Sequence, residues 1–157
     1  MIVLDGTHLT IPDVIKVARD HEPVQLSEAS RRAVDKARAF VDEKLEQQAV
    51  VYGLTTGFGR FSDRYIPEDE TAELQVNLIR SHACAMGKPL PTEVVRAAML
   101  LRINALSRGN SGIRLSTLET LLAMLNAGVH PVIPEKGLPR RERRSGASCP
   151  HGPRHAR

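Results

Sequence analysis

Tryptophan is missing from this 157-residue chain, and three phenylalanines and two tyrosines make up its whole aromatic content of 3%. None of these five lies in the arginine-rich stretch from residue 138 onward, so that stretch lacks the stacking side chains that accompany nucleic-acid contacts. Cysteine is equally sparse. Cys84 and Cys149 have no metal-ligand spacing and support no disulfide framework, which fits a reducing compartment. No run of eighteen apolar residues occurs, and "MIVLDGTHLT" has neither a basic region nor a long apolar one of the kind a signal peptide needs. The expectation is a cytoplasmic protein without a membrane span.

Positive charge is present but unevenly placed. The net charge is +4 and the pI about 9.4. From Leu138 onward six arginines face one glutamate, a net of +5, which leaves −1 for the preceding 137 residues. A basic protein face would suggest phosphate binding. Here the basic character belongs to the tail alone.

Up to about residue 127 the apolar residues repeat with helical periodicity. Thr10 caps a short helix with Pro12 in its first turn and Val14, Val17 and Ala18 on one face. Ser27 opens a longer one, with Ala29, Ala33, Val34, Ala37, Phe40, Val41 and Leu45 recurring at three- and four-residue steps. Pro67 and the acids of "PEDETAEL" suit a helix N-terminus, with Leu74, Leu78 and Ile79 leading toward His82. Thr92 and Ser111 read as N-caps of two further helices that stop at Gly109 and Gly128. Both are apolar over much of their circumference and require neighbours on several sides.

The helical pattern breaks at "VVYGLTTGFGRFSD". Val50, Val51 and Tyr52 could form a short strand, whereas Gly53, Gly57 and Gly59 predict a tight loop. Their spacing matches neither the dinucleotide fingerprint nor the phosphate loop. On the residues alone, Tyr52 is either a packed aromatic or a catalytic phenol. His82, near a helix C-terminus, either complements the helix dipole or meets a ligand. Ser81, His82 and Cys84 are too close in sequence to define a nucleophile and its base.

Four segments in order, "VVYGLTTGFG" (50–59), "LIRSHACAMG" (78–87), "LRINALSRGNSGIR" (101–114) and "LNAGVHPVIPEKG" (125–137), resemble the N-terminal part of the aromatic amino acid lyase family, in particular its histidine ammonia-lyases. The resemblance covers residues 1–137. It implies a mainly α chain, the N-terminal part of the helical ammonia-lyase fold with a glycine-rich active-site loop, and a homotetramer whose sites are shared among subunits. It makes Tyr52 the base that takes the substrate's β-proton, and His82, preceded by Ser81, the partner of a substrate imidazole. A phenol ordinarily titrates near pH ~10, so such a site must favour the phenolate or accept the proton in a concerted step. The reaction implied is loss of ammonia from L-histidine to give urocanate. Phenylalanine and tyrosine lyases and aminomutases carry the same chemistry, and Ser81 with His82 favours histidine among them.

The family's electrophile, methylidene-imidazolone, forms from an internal Ala-Ser-Gly, within a segment like "SVGASGDLAPLAHMAL" placed directly after "PEKG". Here Gly137 is followed by "LPRRERRSGASCPHGPRHAR", in which Cys149 follows Ala147 and Ser148, so the cofactor cannot form from this chain. Omitting the first base of the Leu138 codon makes the following codons compatible with "SLGASGDLAPLAHMALV". The expectation is therefore a lyase region at 1–137 and an out-of-frame, disordered tail at 138–157, inactive alone and loosely packed where apolar helices lost partners. Two other readings compete. One is a small helical nucleic-acid-binding protein with a basic tail; the other is a non-catalytic subunit that joins intact lyase tetramers.

Overall fold

The structure, a computed structural model, describes residues 1–47, 49–52, 54–56, 68–83 and 85–137, with the backbone alone for 68–72. The expectations for Gly53, Gly57, Gly59, Pro67, Cys84, Cys149 and the 138–157 tail lie outside the described residues. Among the described residues nine elements follow one another: β1 (Ile2–Leu4), α1 (Ile11–Arg19), β2 (Val24–Leu26), α2 (Glu28–Glu46), α3 (Glu68–His82), β3 (Met86–Pro89), α4 (Thr92–Leu106), α5 (Leu115–Asn126) and β4 (Pro134–Lys136). The fold is mainly helical, as the periodicity requires.

Four short strands accompany the helices among the described residues. β1 and β2 pair in parallel, with Leu4 opposite Leu26, across the α1 crossover. Alternation puts Leu4, Val24 and Leu26 into the core and leaves Val3 outside. β3 and β4 pair antiparallel with an irregular register, joining the end of α3 to the segment after α5. Strands of three or four residues leave too little alternation to read from sequence.

α1 starts at a capping box: the Thr10 side chain accepts from the Asp13 amide and Asp13 reaches back to the Thr10 amide. α2 starts at Ser27, whose Oγ accepts from Ser30 N at 3.1 Å. The caps expected at Thr92 and Ser111 are corrected. Thr92 is already inside α4, whose first turn hangs on the carbonyl of Pro91. Ser111 serves the Ile113 amide instead, because Gly112, at φ +67°, turns the chain beside Val41 before α5 can begin, and Arg114 takes the cap position. Gly109 ends α4 as expected. Its φ is +71°, and a Cβ there would lie 2.6 Å from the backbone of Ala33 on α2.

α4 is the centre of the molecule, packed against α1 on one side and α5 on another. Val95, Met99, Leu100, Ile103 and Leu106 meet Val17 of α1, Leu118, Leu122 and Leu125 of α5, and the β1–β2 pair. Arg96 is buried among them at 2% exposure. Its Nη2 donates to the Val17 carbonyl at 2.9 Å and its Nη1 to the Leu125 carbonyl at 3.0 Å. One guanidinium thus satisfies carbonyls in the last turns of two helices, where a positive charge also suits the dipole. Burial lowers its pKa from the usual arginine value.

The face expected on α2 is corrected in extent. Val34 is buried, but Phe40 is 60% exposed, covered by the Lys44 ammonium 5.3 Å from its ring centre, and Leu45 is exposed. Arg31, ion-paired to Glu119, and Arg38, donating to the Gly112 carbonyl, tie α2 to α5 and its preceding loop.

Candidate active site

Tyr52 stands on a turn, not on the strand that Val50–Tyr52 allowed. The Val51 carbonyl accepts from the amides of Leu54 and Thr55 at 3.1 and 3.0 Å. Thr55, itself buried, locks the turn from inside: its Oγ1 accepts from Val51 N at 2.9 Å and donates to the Ala49 carbonyl at 2.6 Å. Thr56 is buried beside it. A hydroxyl that both accepts and donates within six residues fixes the backbone on either side of Tyr52. Tyr52 itself is 61% exposed.

Ser81 and His82 occupy the last turn of α3, both exposed. The structure brings them together at the Leu78 carbonyl, which lies 2.8 Å from Ser81 Oγ and 2.8 Å from His82 Nδ1, with Oγ and Nδ1 3.0 Å apart. A carbonyl can only accept, so Nδ1 carries the proton in this arrangement and Nε2 becomes the acceptor nitrogen of the neutral ring. Local helix geometry dictates this pairing, since residues three and four apart share a face. Tyr52 belongs to a separate turn that precedes α3.

Nothing in the sequence singles out Thr55 among the hydroxyl side chains of the loop. Among the described residues no group of three His, Cys, Asp or Glu side chains could hold a metal ion, and no helix is long and apolar enough to cross a membrane.

The sequence pattern of the family described as "Aromatic amino acid lyase" matches residues 9–138, so the chain belongs to the aromatic amino acid lyase family. It is 57% identical over 136 residues to a histidine ammonia-lyase from Caldanaerobacter subterraneus subsp. tengcongensis, covering 87% of this chain and 27% of that relative. The crystal structure of histidine ammonia-lyase from Trypanosoma cruzi superposes with a TM-score of 0.79 at 39% identity, over 87% of this chain and 26% of that one. A tyrosine aminomutase from Streptomyces globisporus superposes at 0.81 with 34% identity, over 87% and 26%. The chain therefore spans about a quarter of the length of its relatives.

Proposed function

We propose that this chain supplies the N-terminal, tyrosine-bearing part of a histidine ammonia-lyase, which releases ammonia from L-histidine to leave urocanate. The observation that supports it most is the sequence identity to histidine ammonia-lyases, together with the Ser81–His82 pair at the end of α3. Similar folds at lower identity in aminomutases support the shared architecture more than the substrate.

Tyr52 is the base in this reading. The Thr55 lock presents its phenol from a defined backbone, and a base must be held within hydrogen-bond reach of the β-proton that it takes. His82 is the specificity residue. With Nδ1 engaged by the Leu78 carbonyl, Nε2 can accept from the N–H of a substrate imidazole, a donor that phenylalanine lacks. Ser81 holds the ring in that orientation.

The self-derived electrophile of the family does not fit these residues. No Ala-Ser-Gly occurs anywhere in the 157 residues, and Cys149 stands where the triad would need glycine. A residue with a side chain at that position hinders the backbone folding back on itself. The imidazolone, which supplies the acceptor for the amino group, would then come from a sequence outside these 157 residues. We assign residues 1–137 to the lyase and 138–157 to an out-of-frame reading of the cofactor-forming segment; the family match ending at residue 138 supports that division. A homotetramer in the cytoplasm belongs to the same proposal.

The test is direct. DNA sequence across codons 135–145 must contain Ala-Ser-Gly in another frame. The protein restored in that frame must then raise the urocanate absorbance from L-histidine and leave L-phenylalanine and L-tyrosine unchanged. A frame without the triad, or a preference for either other amino acid, refutes it.

A further inference from the structure

Helix α4 is apolar on two sides. Inward, its buried residues meet α1 and α5. Outward, Val94, Ala98, Leu101 and Ala105 recur at steps of four, three and four residues, the spacing of a seam between two helices. All four are exposed, Val94 by 44% and Leu101 by 52%. A helix already packed on one side that turns such a stripe to water expects another helix on it.

Other apolar openings accompany the stripe. A shallow groove of about 450 Å³ is lined by Ile113, Leu121 and Met124 with Ser116, Thr117 and Thr120 along α5. Val76 and Ile79 on α3 are 45% and 69% exposed. A second copy of this chain meeting only the α4 stripe would bury four side chains, two of them alanine. That is well short of the roughly 1,200 Å² of a stable dimer. A larger partner can cover several openings at once, and the relatives hold this same folded segment within chains of which it forms only 27% and 26%.

We infer that the Val94–Ala98–Leu101–Ala105 stripe is the docking seam for a helix from the part of an aromatic amino acid lyase chain that follows the segment matched here. The chain accepts that part even when it is supplied as a separate polypeptide. The inference rests on family membership and not on histidine as the substrate.

The probe is the C-terminal part of the Caldanaerobacter histidine ammonia-lyase, starting directly after the matched segment and co-expressed with the tagged 157-residue chain. The two should co-elute in equal amounts on size exclusion. Leu101→Asp should cut the captured amount at least tenfold, and Phe40→Asp, exposed on α2 away from the seam, should leave it unchanged. Far-UV circular dichroism confirms that Leu101→Asp keeps its helices; if it does not, Ala98→Glu takes its place. The seam is wrong if the wild-type pair fails to co-elute, or if a folded seam variant captures as much as the wild type. It is also wrong if Leu101→Asp merely dissolves a homodimer that captures no partner, since a second copy is then the occupant. A stable complex that makes no urocanate leaves the seam intact and counts against the histidine reading.

Discussion

Thr55 and Val51 are joined in both directions: the Val51 amide donates to Thr55 Oγ1 at 2.9 Å, while the Thr55 amide donates to the Val51 carbonyl at 3.0 Å. Tyr52 is the first residue enclosed by this reciprocal pair. Its presentation therefore depends on a hydroxyl three positions away. Thr55→Val keeps the shape and loses the hydroxyl, leaving the Val51 amide and the Ala49 carbonyl without it in a part-buried turn. The expected local cost is about 1–3 kcal/mol. Hydrogen exchange at the Val51 amide should accelerate by about ten- to a hundredfold, and Thr55→Ser should restore most of the protection. Unchanged exchange in Thr55→Val means that the hydroxyl does not hold the turn.

Arg96 makes the second prediction. Among the described residues its buried guanidinium is met by carbonyls and not by an acid: it lies on the Val17 and Leu125 carbonyls. Arg96→Met preserves bulk but takes the guanidinium from the Val17 carbonyl and leaves the Leu125 carbonyl to the Gly128 amide at 3.3 Å, and should destabilise the chain by about 1–3 kcal/mol. Arg96→Lys should recover little, because one ammonium cannot reproduce a planar fork spanning two helix ends. Urea denaturation followed by far-UV circular dichroism reads both, and a midpoint for Arg96→Met equal to the wild type counts against the capping role.

Arg96 also marks the limit of what the sequence discloses. Periodicity places α1, α2, α4 and α5, because apolar residues at helical spacing must be buried whatever covers them. It cannot reveal that an arginine in the middle of an apolar helix faces inward, since its partners are carbonyls 79 and 29 residues away. The β1–β2 pair is hidden for a related reason. Asn126 completes it by donating to the Val24 carbonyl and accepting from the Val24 amide, both at 2.9 Å. No local pattern announces a side chain that imitates a strand from 102 residues away. In the candidate site, Ser81 and His82 are adjacent in sequence and their helical geometry could be foreseen. The Thr55 lock could not, because a loop with several hydroxyls has many ways to pair them.

The N-terminal loop carries a pH-dependent pair. Asp5 accepts from the Thr7 and His8 amides at 2.8 and 2.9 Å, and its Oδ2 lies 2.5 Å from His8 Nδ1. The hydrogen bond to His8 is the largest cause holding the Asp5 carboxyl far below its usual range, and the same bond raises the His8 imidazole above its ordinary value. Asp5, with a lowered pKa, contributes above the unfolded value of ~4 and loses its contribution as pH falls through the folded one. His8, with a raised pKa, contributes fully below ~6.5 and loses it as pH rises through the folded one. The pair's contribution to stability is therefore full between about pH 4 and 6.5 and falls off on either side. An NMR titration should find His8 above its ordinary pKa, and Asp5→Asn should return it toward that value. A His8 titration that ignores Asp5→Asn rules out the pair.

Tyr52 and His82 should separate in steady-state kinetics of the protein restored in frame beyond Gly137. If Tyr52 takes the β-proton, its hydroxyl acts in the transition state and not in substrate binding. Tyr52→Phe should then lower kcat by about a hundred- to ten-thousandfold with little change in KM. In the same proposal His82 acts earlier, by accepting the imidazole N–H of the substrate. His82→Leu should raise KM for histidine, with a loss in kcat/KM of about five- to a hundredfold, the worth of one hydrogen bond to the substrate. It should also improve the relative use of phenylalanine, whose ring offers no donor that Nε2 could accept. Ser81→Ala should show the same direction with a smaller effect, since it only helps to orient the His82 ring. The reverse split, in which Tyr52→Phe moves KM and His82→Leu moves kcat alone, would exchange the two roles and reject the assignment of Tyr52 as the base.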